Sequence, residues 1–355
     1  MVFINEVLEQ NRKKLEADKA SVTPKVKAAA TIRSRFVFDL EHAHTLLNER
    51  LKGQPEVVEQ LLDALAFIKV DIADSQRPLW NALLLGPTGV GKTQSAKLLA
   101  QILTGNEDNL CRIDMNTLSQ SHYSAAITGA PPGYVGSKEG VSLFDEALIE
   151  GDLARPGVVL FDEIEKASDE VRMALLSILE DGHLTLTGSG KSINFRNCVI
   201  LMTSNLGARL WEGTQMGRLG KALGVQRSRQ QRALQTITQS FSPEFYNRID
   251  RVMMFDSLSS EAAHDILMLE LNQLNRRLAR KNCSLILSTE VCSHLVKMGF
   301  TARYGARSVR RLVRDSIEVP LARFLVDHAN ELNEASLLNL NGVWAQGKVQ
   351  FTCQS

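Results

Sequence analysis

The sequence predicts an α/β fold in which a parallel β-sheet is covered by helices on both faces and is followed by a smaller, mostly helical domain. Two observations predict this arrangement. Short apolar runs alternate with helical stretches at residues 82–86, 110–115, 158–163 and 198–205, and such runs are typical of strands buried on both faces. After residue 256, amphipathic helical patterns prevail, with late strand-like runs at 336–340 and 347–351.

These patterns divide the chain into three parts. Residues 1–47 are expected to form a charged, helical N-terminal extension, because they are rich in Lys, Glu, Arg and Ala, contain few aromatic residues and are interrupted near Pro24. We find no core-forming pattern there, so a solvated extension or packing arm is expected. Residues 48–256 form the large α/β domain and residues 257–355 the small C-terminal domain.

Composition and charge exclude several classes of protein. The chain has 41 Lys and Arg against 40 Asp and Glu, a net charge of +1, so it lacks the positive excess of a protein that coats nucleic acid. No apolar run approaches the roughly 18 residues that cross a bilayer, and charged residues come too early for a secretory signal. Five scattered cysteines without a CxxC pair predict free thiols. We therefore expect a cytoplasmic protein without a membrane partner.

A glycine-rich stretch at residues 86–93 predicts a phosphate-binding loop. It reads GPTGVGKT, fits G-x-x-x-x-G-K-[ST], follows the apolar run NALLL and precedes a helical pattern. Its glycines let backbone amides point at a phosphate from a helix N-terminus; a glycine-rich turn without a ligand is the alternative. The predicted nucleotide-binding residues are Gly86, Pro87, Thr88, Gly89, Val90, Gly91, Lys92 and Thr93.

Lys92 and Thr93 carry the polar chemistry of this loop. Lys92 is expected to reach the β- and γ-phosphates, and the Thr93 hydroxyl to bind Mg²⁺. A second stretch, TGSGKS at 187–192, also ends in GKS but has Thr185 where the motif needs a glycine. We interpret it as a hairpin turn between two short strand-like runs.

Polar residues end two of the predicted strands. We expect Asp162 to hold Mg²⁺ through its hydration shell and Glu163 to act as the general base that activates the attacking water; a solvated strand edge is the alternative. Asn205 ends the next apolar run along the chain and is expected to orient that water. ATP and Mg²⁺ are therefore the expected cofactors.

Further short motifs carry a family resemblance. In chain order they are GQ (53–54), GAPPGYVG (129–136), DEIEKA (162–167), DGHLT (181–185), NFRN (194–197), MTSNLG (202–207), PEFYNRID (243–250) and YGARSVRR (304–311). Together with the phosphate loop, they resemble the Clp unfoldases of the AAA+ superfamily over about residues 47–345. The chain is most similar to the second ATPase module of ClpA- and ClpB-type proteins.

The resemblance implies a P-loop AAA+ large domain, a small helical lid domain and a homo-oligomer, a hexameric ring. Such a ring hydrolyses ATP to unfold polypeptide substrates or translocate them through a central pore. Arg248 in NRID resembles the arginine finger, which enters the neighbouring subunit's nucleotide site. Arg307 in GAR resembles the second sensor, which contacts the nucleotide of its own subunit. Surface arginines in caps or ion pairs are the alternative, which stays open for Arg303, Arg310 and Arg311 and is disfavoured for Arg248 and Arg307.

A glycine-flanked loop resembles the substrate-gripping pore loop of this family, and its residues are Gly133, Tyr134, Val135 and Gly136. A tyrosine ring with apolar faces and a polar hydroxyl packs on many side chains with little sequence preference. A tyrosine that anchors a structural loop is the alternative.

Two departures concern possible partners. Leu223, Gly224 and Val225 resemble the tripeptide with which some members dock a ClpP-type peptidase, but valine would fill a docking pocket less completely than Leu or Phe. The short N-terminal arm stands where two-ring relatives carry a substrate domain and a first ATPase ring. Two alternatives follow: a single-ring motor, or a motor whose partners supply substrate recognition, with an adaptor at this arm as one candidate. Lys52, near the expected adenine position, and Val141, after Gly140, also depart from the family pattern.

A second function stays open from the sequence: an ATP-dependent assembly or regulatory scaffold that threads no substrate. A nucleic-acid motor is disfavoured, because the pore segment pairs Lys138 with Glu139 and has no basic stripe.

Overall fold

The computed structural model describes residues 34–118, 144–185, 192–206, 235–236, 238–301, 304–328 and 338–354. From Arg35 onward these residues belong to one compact unit. Three hydrophobic clusters stabilise it, of which two lie against a central sheet and the third lies in the C-terminal part. The predicted fold class, a helix-covered parallel sheet followed by a small and mainly helical part, is confirmed.

The central sheet is parallel throughout. Its strands are β1 (Trp80–Leu85), β2 (Cys111–Asp114), β3 (Gly157–Asp162), β6 (Cys198–Ser204) and β7 (Arg251–Met254), in the order β2-β3-β6-β1-β7. A separate antiparallel hairpin contains β4 (His183–Thr185) and β5 (Ser192–Asn194). The strand-like flanks predicted around the GKS hairpin are thus confirmed, while its turn lies outside the described residues.

Alternate residues of β1 explain why its sequence is a continuous apolar run. Ala82 and Leu84 belong to one hydrophobic cluster, whereas Leu83 and Leu85 belong to the other. Successive side chains of a strand point to opposite faces, so a sheet with helices on both faces needs apolar residues at every position.

Helices flank this sheet: α1 (Leu40–Arg50), α2 (Pro55–Val70), α3 (Lys92–Thr104), α4 (Glu146–Glu150), α5 (Asp169–Asp181) and α6 (Pro243–Asn247), with a 3₁₀ turn at Ile164–Lys166. Local signals fix several of their ends. The Asp39 carboxylate accepts N–H groups at the start of α1, the Ser168 hydroxyl does so for α5, and Pro55 occupies the first position of α2. Among the described residues, no helix combines the length and apolarity needed to cross a lipid bilayer.

The segment before α1 contributes to the core, which sequence analysis did not anticipate. Phe36 and Phe38 are only 2% and 6% exposed. The Lys69 amine donates to the carbonyl oxygens of both residues at 2.6 Å. Phe36 and Phe38 lie two positions apart among charged residues, so their apolar pattern was not recognised in the sequence.

The C-terminal part has its own core. It contains α7 (Ser260–Ala279), β8 (Cys283–Leu287), α8 (Thr289–Gly299), α9 (Ala306–Val313), α10 (Val319–Asp327), β9 (Leu338–Ala345) and β10 (Lys348–Gln354), and a π-helical turn at Arg314–Glu318 joins α9 to α10. Strand β9 pairs parallel to β8 and antiparallel to β10. The two late strands predicted from the sequence are confirmed as β9 and β10, whereas β7 and β8 were not predicted.

The two parts meet through backbone contacts at the phosphate loop. The Ala306 N–H, at the start of α9, donates to the Gly89 carbonyl oxygen at 2.8 Å. A Cβ on Gly89 would lie 2.3 Å from the Tyr304 carbonyl oxygen, and one on Gly305 would lie 2.5 Å from that of Gly89. This approach is therefore restricted to glycine on both sides.

Gly305→Ala should destabilise the protein more than Gly347→Ala. Both glycines have a positive φ, of +51° and +77°, which strains any residue other than glycine. A Cβ at Gly347 meets no described atom within 4 Å, so only Gly305→Ala adds a steric clash. Thermal unfolding should give the lower midpoint for Gly305→Ala; equal midpoints would contradict the close contact.

Candidate nucleotide site

A deep cleft lies at the carboxyl ends of the central strands. Its volume is about 840 Å³, within the usual range for small-molecule sites. The phosphate loop, the strand ends, the C-terminus of α1 and the start of α9 all line it. Ligands of open parallel sheets bind at this edge, so the cleft is the candidate functional site.

The phosphate loop leads directly from β1 into α3. Gly91 occupies the N-cap of α3 with φ +115°, a conformation that glycine adopts without strain. Because glycine has no side chain with which to cap the helix, the first N–H groups of α3 stay available to an anion. The local backbone therefore suits a phosphate group.

Lys92, the first residue of α3, is the central cation of the cleft. Its side chain is buried and donates to the Gly86 and Pro87 carbonyl oxygens at 2.6 and 2.7 Å and to Asn205 Oδ1 at 2.9 Å. Burial lowers the pKa of the amine to about 8, although the carboxylates of Glu165, Asp162 and Glu163 oppose this shift. The structure thus holds a partly desolvated ammonium at the loop.

The carboxylate of Asp162 is held on both oxygens. The Thr203 hydroxyl donates to Oδ1, and the Arg112 guanidinium donates to Oδ2 from Nε at 3.1 Å and from Nη2 at 2.6 Å. Thr203 Oγ1 also accepts the Glu163 N–H at 3.0 Å. Strand β6 therefore orients both acidic residues at the end of β3.

Glu163 lies just beyond β3 in a left-handed conformation, with φ 60°. The Asn116 side-chain amide donates to its Oε2, and that of Asn205 lies 3.5 Å from Oε1. A non-glycine residue in this region is strained, and such strain clusters at functional sites. Glu163 is thus held between the ends of two neighbouring strands.

Asn205 connects the loop lysine to the acidic residues. Its Oδ1 accepts from Lys92, and its backbone N–H donates to Glu165 Oε1 at 3.0 Å. The second oxygen of Glu165, Oε2, is buried and has no hydrogen-bond partner among the described residues. The structure therefore brings together Lys92, Asp162, Glu163 and Asn205, as the sequence predicted.

The two predicted arginines lie in different places. Arg307 lines the cleft from α9. Arg248, at the end of α6, is not among the described residues that line it; its guanidinium pairs with Glu180, and its carbonyl oxygen accepts from Arg77 and Asn81. The structure thus separates Arg248 from the nucleotide site of its own chain.

Of the remaining residues singled out in the sequence, Lys52 lies at the cleft and several others lie outside the described residues. Lys52 lines the cleft, and its amine donates to the Asn48 carbonyl oxygen at 2.9 Å, at the end of α1. The proposed pore loop at 133–136, the Gly140 and Val141 pair and the tripeptide 223–225 lie outside the described residues.

Sequence reasoning missed four polar residues of the site: Arg112, Asn116, Thr203 and Glu165. Each lies within or just after a strand-like run whose apolar residues dominated the interpretation. For Arg112 a signal existed, because it alternates with the buried Cys111 and Ile113 and so had to point to the opposite face.

ATP affinity should fall as the pH rises above about 8. The phosphates bind the ammonium form of Lys92, whose pKa is about 8, so binding at higher pH includes proton uptake and weakens by up to about tenfold per pH unit. Calorimetry with a slowly hydrolysed ATP analogue, in buffers of different ionisation enthalpy, measures both effects. Lys92→Arg should show a flat profile. A flat profile for the unmodified chain would contradict the lowered pKa.

Comparison with known protein families gives two matches. The AAA domain (Cdc48 subfamily) matches residues 77–252, and the C-terminal, D2-small domain of ClpB protein matches residues 258–336. The first match contains the phosphate loop and β1, β2, β3 and β6 of the central sheet and ends within β7; the second contains α7 to α10.

Individual relatives agree with these matches. The ATP-dependent protease ATP-binding subunit-like protein AmiB of Pseudomonas aeruginosa is 40% identical over 346 residues, which cover 92% of this chain and 93% of that protein. Chaperone protein ClpB of Meiothermus ruber is 40% identical over 279 residues, 78% of this chain but 31% of ClpB.

A solved structure of Hsp104 with ATPγS and FITC casein, in a closed state, matches with a TM-score of 0.73 and 29% identity. The match covers 88% of this chain and 51% of the Hsp104 chain, so this chain spans about half of that protein. The chain therefore belongs to the Clp family of AAA+ ATPases, is built on the D2-type module of that family and binds and hydrolyses ATP.

Proposed function

We propose that the chain works as an ATP-driven motor that unfolds polypeptides and threads them through the pore of a hexameric ring. One observation carries this proposal: a hydrogen-bonded group lies beside a loop that α9 contacts. The group contains Lys92, Asp162, Glu163 and Asn205, with Thr203 linking Asp162 to Glu163. The phosphate loop that leads into Lys92 accepts a backbone hydrogen bond from the start of α9, at Gly89. A site that hydrolyses ATP is thus joined to an element that can move. Relatives named as chaperone ClpB, and Hsp104 solved with casein, support a polypeptide substrate.

The loop residues fit a nucleotide. A Cβ at Gly89 would lie 2.3 Å from a neighbouring atom, and a Cβ at Gly91 would lie 2.7 Å from another. The loop backbone therefore depends on glycine at both positions. The amides of 89–93 and the Lys92 ammonium would bind the phosphates. Thr93 and Asp162 offer the oxygen ligands that Mg²⁺ prefers, and the ion would neutralise charge on the phosphate oxygens.

Glu163 would act as general base. It would accept a proton from the water whose oxygen attacks the γ-phosphorus, while the bond to the ADP oxygen breaks. Asn205 would orient that water, since its amide lies between Lys92 and Glu163. The left-handed backbone of Glu163 supports this role, because strained backbones cluster at functional sites.

Residues 48–256 and 257–355 would work as the nucleotide-binding domain and the lid. Arg307 would sense the phosphates from the lid, and the Ala306 to Gly89 hydrogen bond would transmit a change at the loop to α9. Rigid rotation of such a domain is a known way to convert ligand binding into motion.

Arg248 would serve the neighbouring subunit as an arginine finger. Its backbone is fixed by Arg77 and Asn81, while its side chain is 38% exposed and paired with Glu180. A guanidinium on a rigid base at the surface suits insertion into another subunit's site. A finger of this kind requires a neighbouring subunit, which supports the proposed homo-hexameric ring.

Tyr134, flanked by Gly133 and Gly136, would grip the polypeptide in the pore. An adaptor at the N-terminal arm and a ClpP-type peptidase at Leu223, Gly224 and Val225 are further candidate partners. The peptidase is tested by the double substitution Leu223→Ala and Gly224→Ala. If ATP-dependent binding to a ClpP-type peptidase is unchanged by it, docking at this tripeptide is ruled out.

Glu163→Gln should bind ATP but turn it over at least about a hundredfold more slowly, and Arg248→Ala should be similarly slow. Mixing the two variants should restore part of the steady-state turnover, because the Glu163→Gln subunit still lends its finger to a neighbour with an intact base. The matched control mixes Arg248→Ala with the double variant Glu163→Gln/Arg248→Ala, so that no subunit in the mixture carries the arginine finger. Rescue in the control, or none in the first mixture, would argue against a shared site.

Tyr134→Ala should abolish the stimulation of ATP turnover by casein and leave basal turnover intact. Tyr134→Phe, which keeps the ring, should retain stimulation. Steady-state turnover with and without casein measures both. A different result would be that casein leaves the ATP turnover of the unmodified chain unchanged and that Tyr134→Ala leaves it unchanged as well. That result would make the regulatory scaffold the better interpretation.

A further inference from the structure

A second arginine of the cleft, Arg112, contacts the carboxylate that the proposed function assigns to the metal. It lies on β2, at the edge of the central sheet, between the buried residues Cys111 and Ile113. Both of its donating nitrogens point to one atom, Asp162 Oδ2, at 3.1 and 2.6 Å. The guanidinium is therefore aimed at a specific carboxylate oxygen.

The other oxygen of Asp162 has a different partner of a different kind. The hydroxyl of Thr203, which is 1% exposed, donates to Oδ1. Asp162 itself is buried in the cleft wall, with 12% of its side chain exposed, whereas 49% of the Arg112 side chain is exposed. One partner is thus fixed in the core, and the other is free to leave.

We propose that Arg112 competes with the divalent cation for Asp162, and that metal binding with the nucleotide moves the guanidinium off Oδ2. Two cations at one carboxylate oxygen repel each other, so a hydrated Mg²⁺ and the guanidinium cannot both hold it at full strength. Arg112 keeps the carboxylate oriented until the metal arrives. Thr203 keeps it oriented afterwards.

The cost of this exchange is small on the arginine side. A half-exposed guanidinium regains water when it leaves, and exposed ion pairs contribute little net stability. Asp162, in contrast, exchanges one cation for another and is never left uncompensated, which would be costly for a buried carboxylate. Arg112 is therefore a positioning residue that raises the metal concentration needed to fill the site.

The inference rests on the proposed role of Asp162 and is tested by metal binding. We would titrate Mn²⁺ into the full chain with saturating ADP and follow free Mn²⁺ by electron paramagnetic resonance. Arg112→Gln should lower the half-saturating Mn²⁺ concentration by about three- to tenfold, the scale of a lost charge-assisted contact. Arg310→Gln is the matched control, because Arg310 lines the same cleft but pairs with Glu270.

Each outcome decides a separate question. If Asp162→Asn leaves Mn²⁺ binding unchanged, the proposed metal site fails. If Asp162→Asn weakens it but Arg112→Gln leaves it unchanged or weakens it, Arg112 is a structural brace and the inference fails. An equal gain in Arg310→Gln would assign the effect to general cleft charge and would also overturn it.

A second readout guards against misfolding of the variant. Thermal unfolding with and without Mn²⁺ and ADP gives the stabilisation that binding provides. By linkage, this increment should be larger for Arg112→Gln than for the unmodified chain, even if the starting midpoint is lower. A smaller increment would contradict competition.

Discussion

The hydrogen bond from the Ala306 N–H to the Gly89 carbonyl joins the phosphate loop to the C-terminal helices, and the proposed coupling between them depends on it. It exists because glycine stands on both sides: a Cβ at Gly89 or Gly305 would clash with the opposite backbone at 2.3 or 2.5 Å. A backbone contact has no rotamers to absorb displacement. Movement of the loop is therefore expected to move α9 and Arg307 with it, rather than being lost in side-chain rearrangement.

The loop lysine already lies among carboxylates before any phosphate enters. Lys92 lies near Asp162, Glu163 and Glu165, and burial still lowers its pKa to about 8. The loss of hydration on burial thus lowers the pKa of Lys92 by more than the three carboxylates raise it. An ammonium that has lost its water gains from direct contact with an anion. A phosphate would replace the neutral carbonyl oxygens of Gly86 and Pro87 as the partner of this cation.

The sequence predicted the parallel sheet, the loop and the polar strand ends because these depend on local patterns. Leu83 to Leu85 must be apolar on both faces, and GPTGVGKT needs its glycines wherever it occurs. Strand β7 was missed because its first residue, Arg251, is exposed and breaks the apolar run. Contacts set by strand register were also missed: Arg112 lies 50 residues from Asp162, and only the pairing of β2 with β3 brings the two together. Tyr134 stays a prediction, since its loop lies outside the described residues.

Two arginines with proposed functional roles share one arrangement. Arg112 pairs with Asp162 and Arg248 pairs with Glu180, each at a half-exposed site with an acidic partner from its own chain. Arg112 would return to water when it leaves its carboxylate, whereas Arg248 would exchange its carboxylate for a phosphate. That exchange costs far less than desolvating a free guanidinium. For Arg248 the new partner would belong to a neighbouring subunit, so ring contact would compete directly with an internal ion pair. The strength of that pair then influences how readily the neighbour's site is completed.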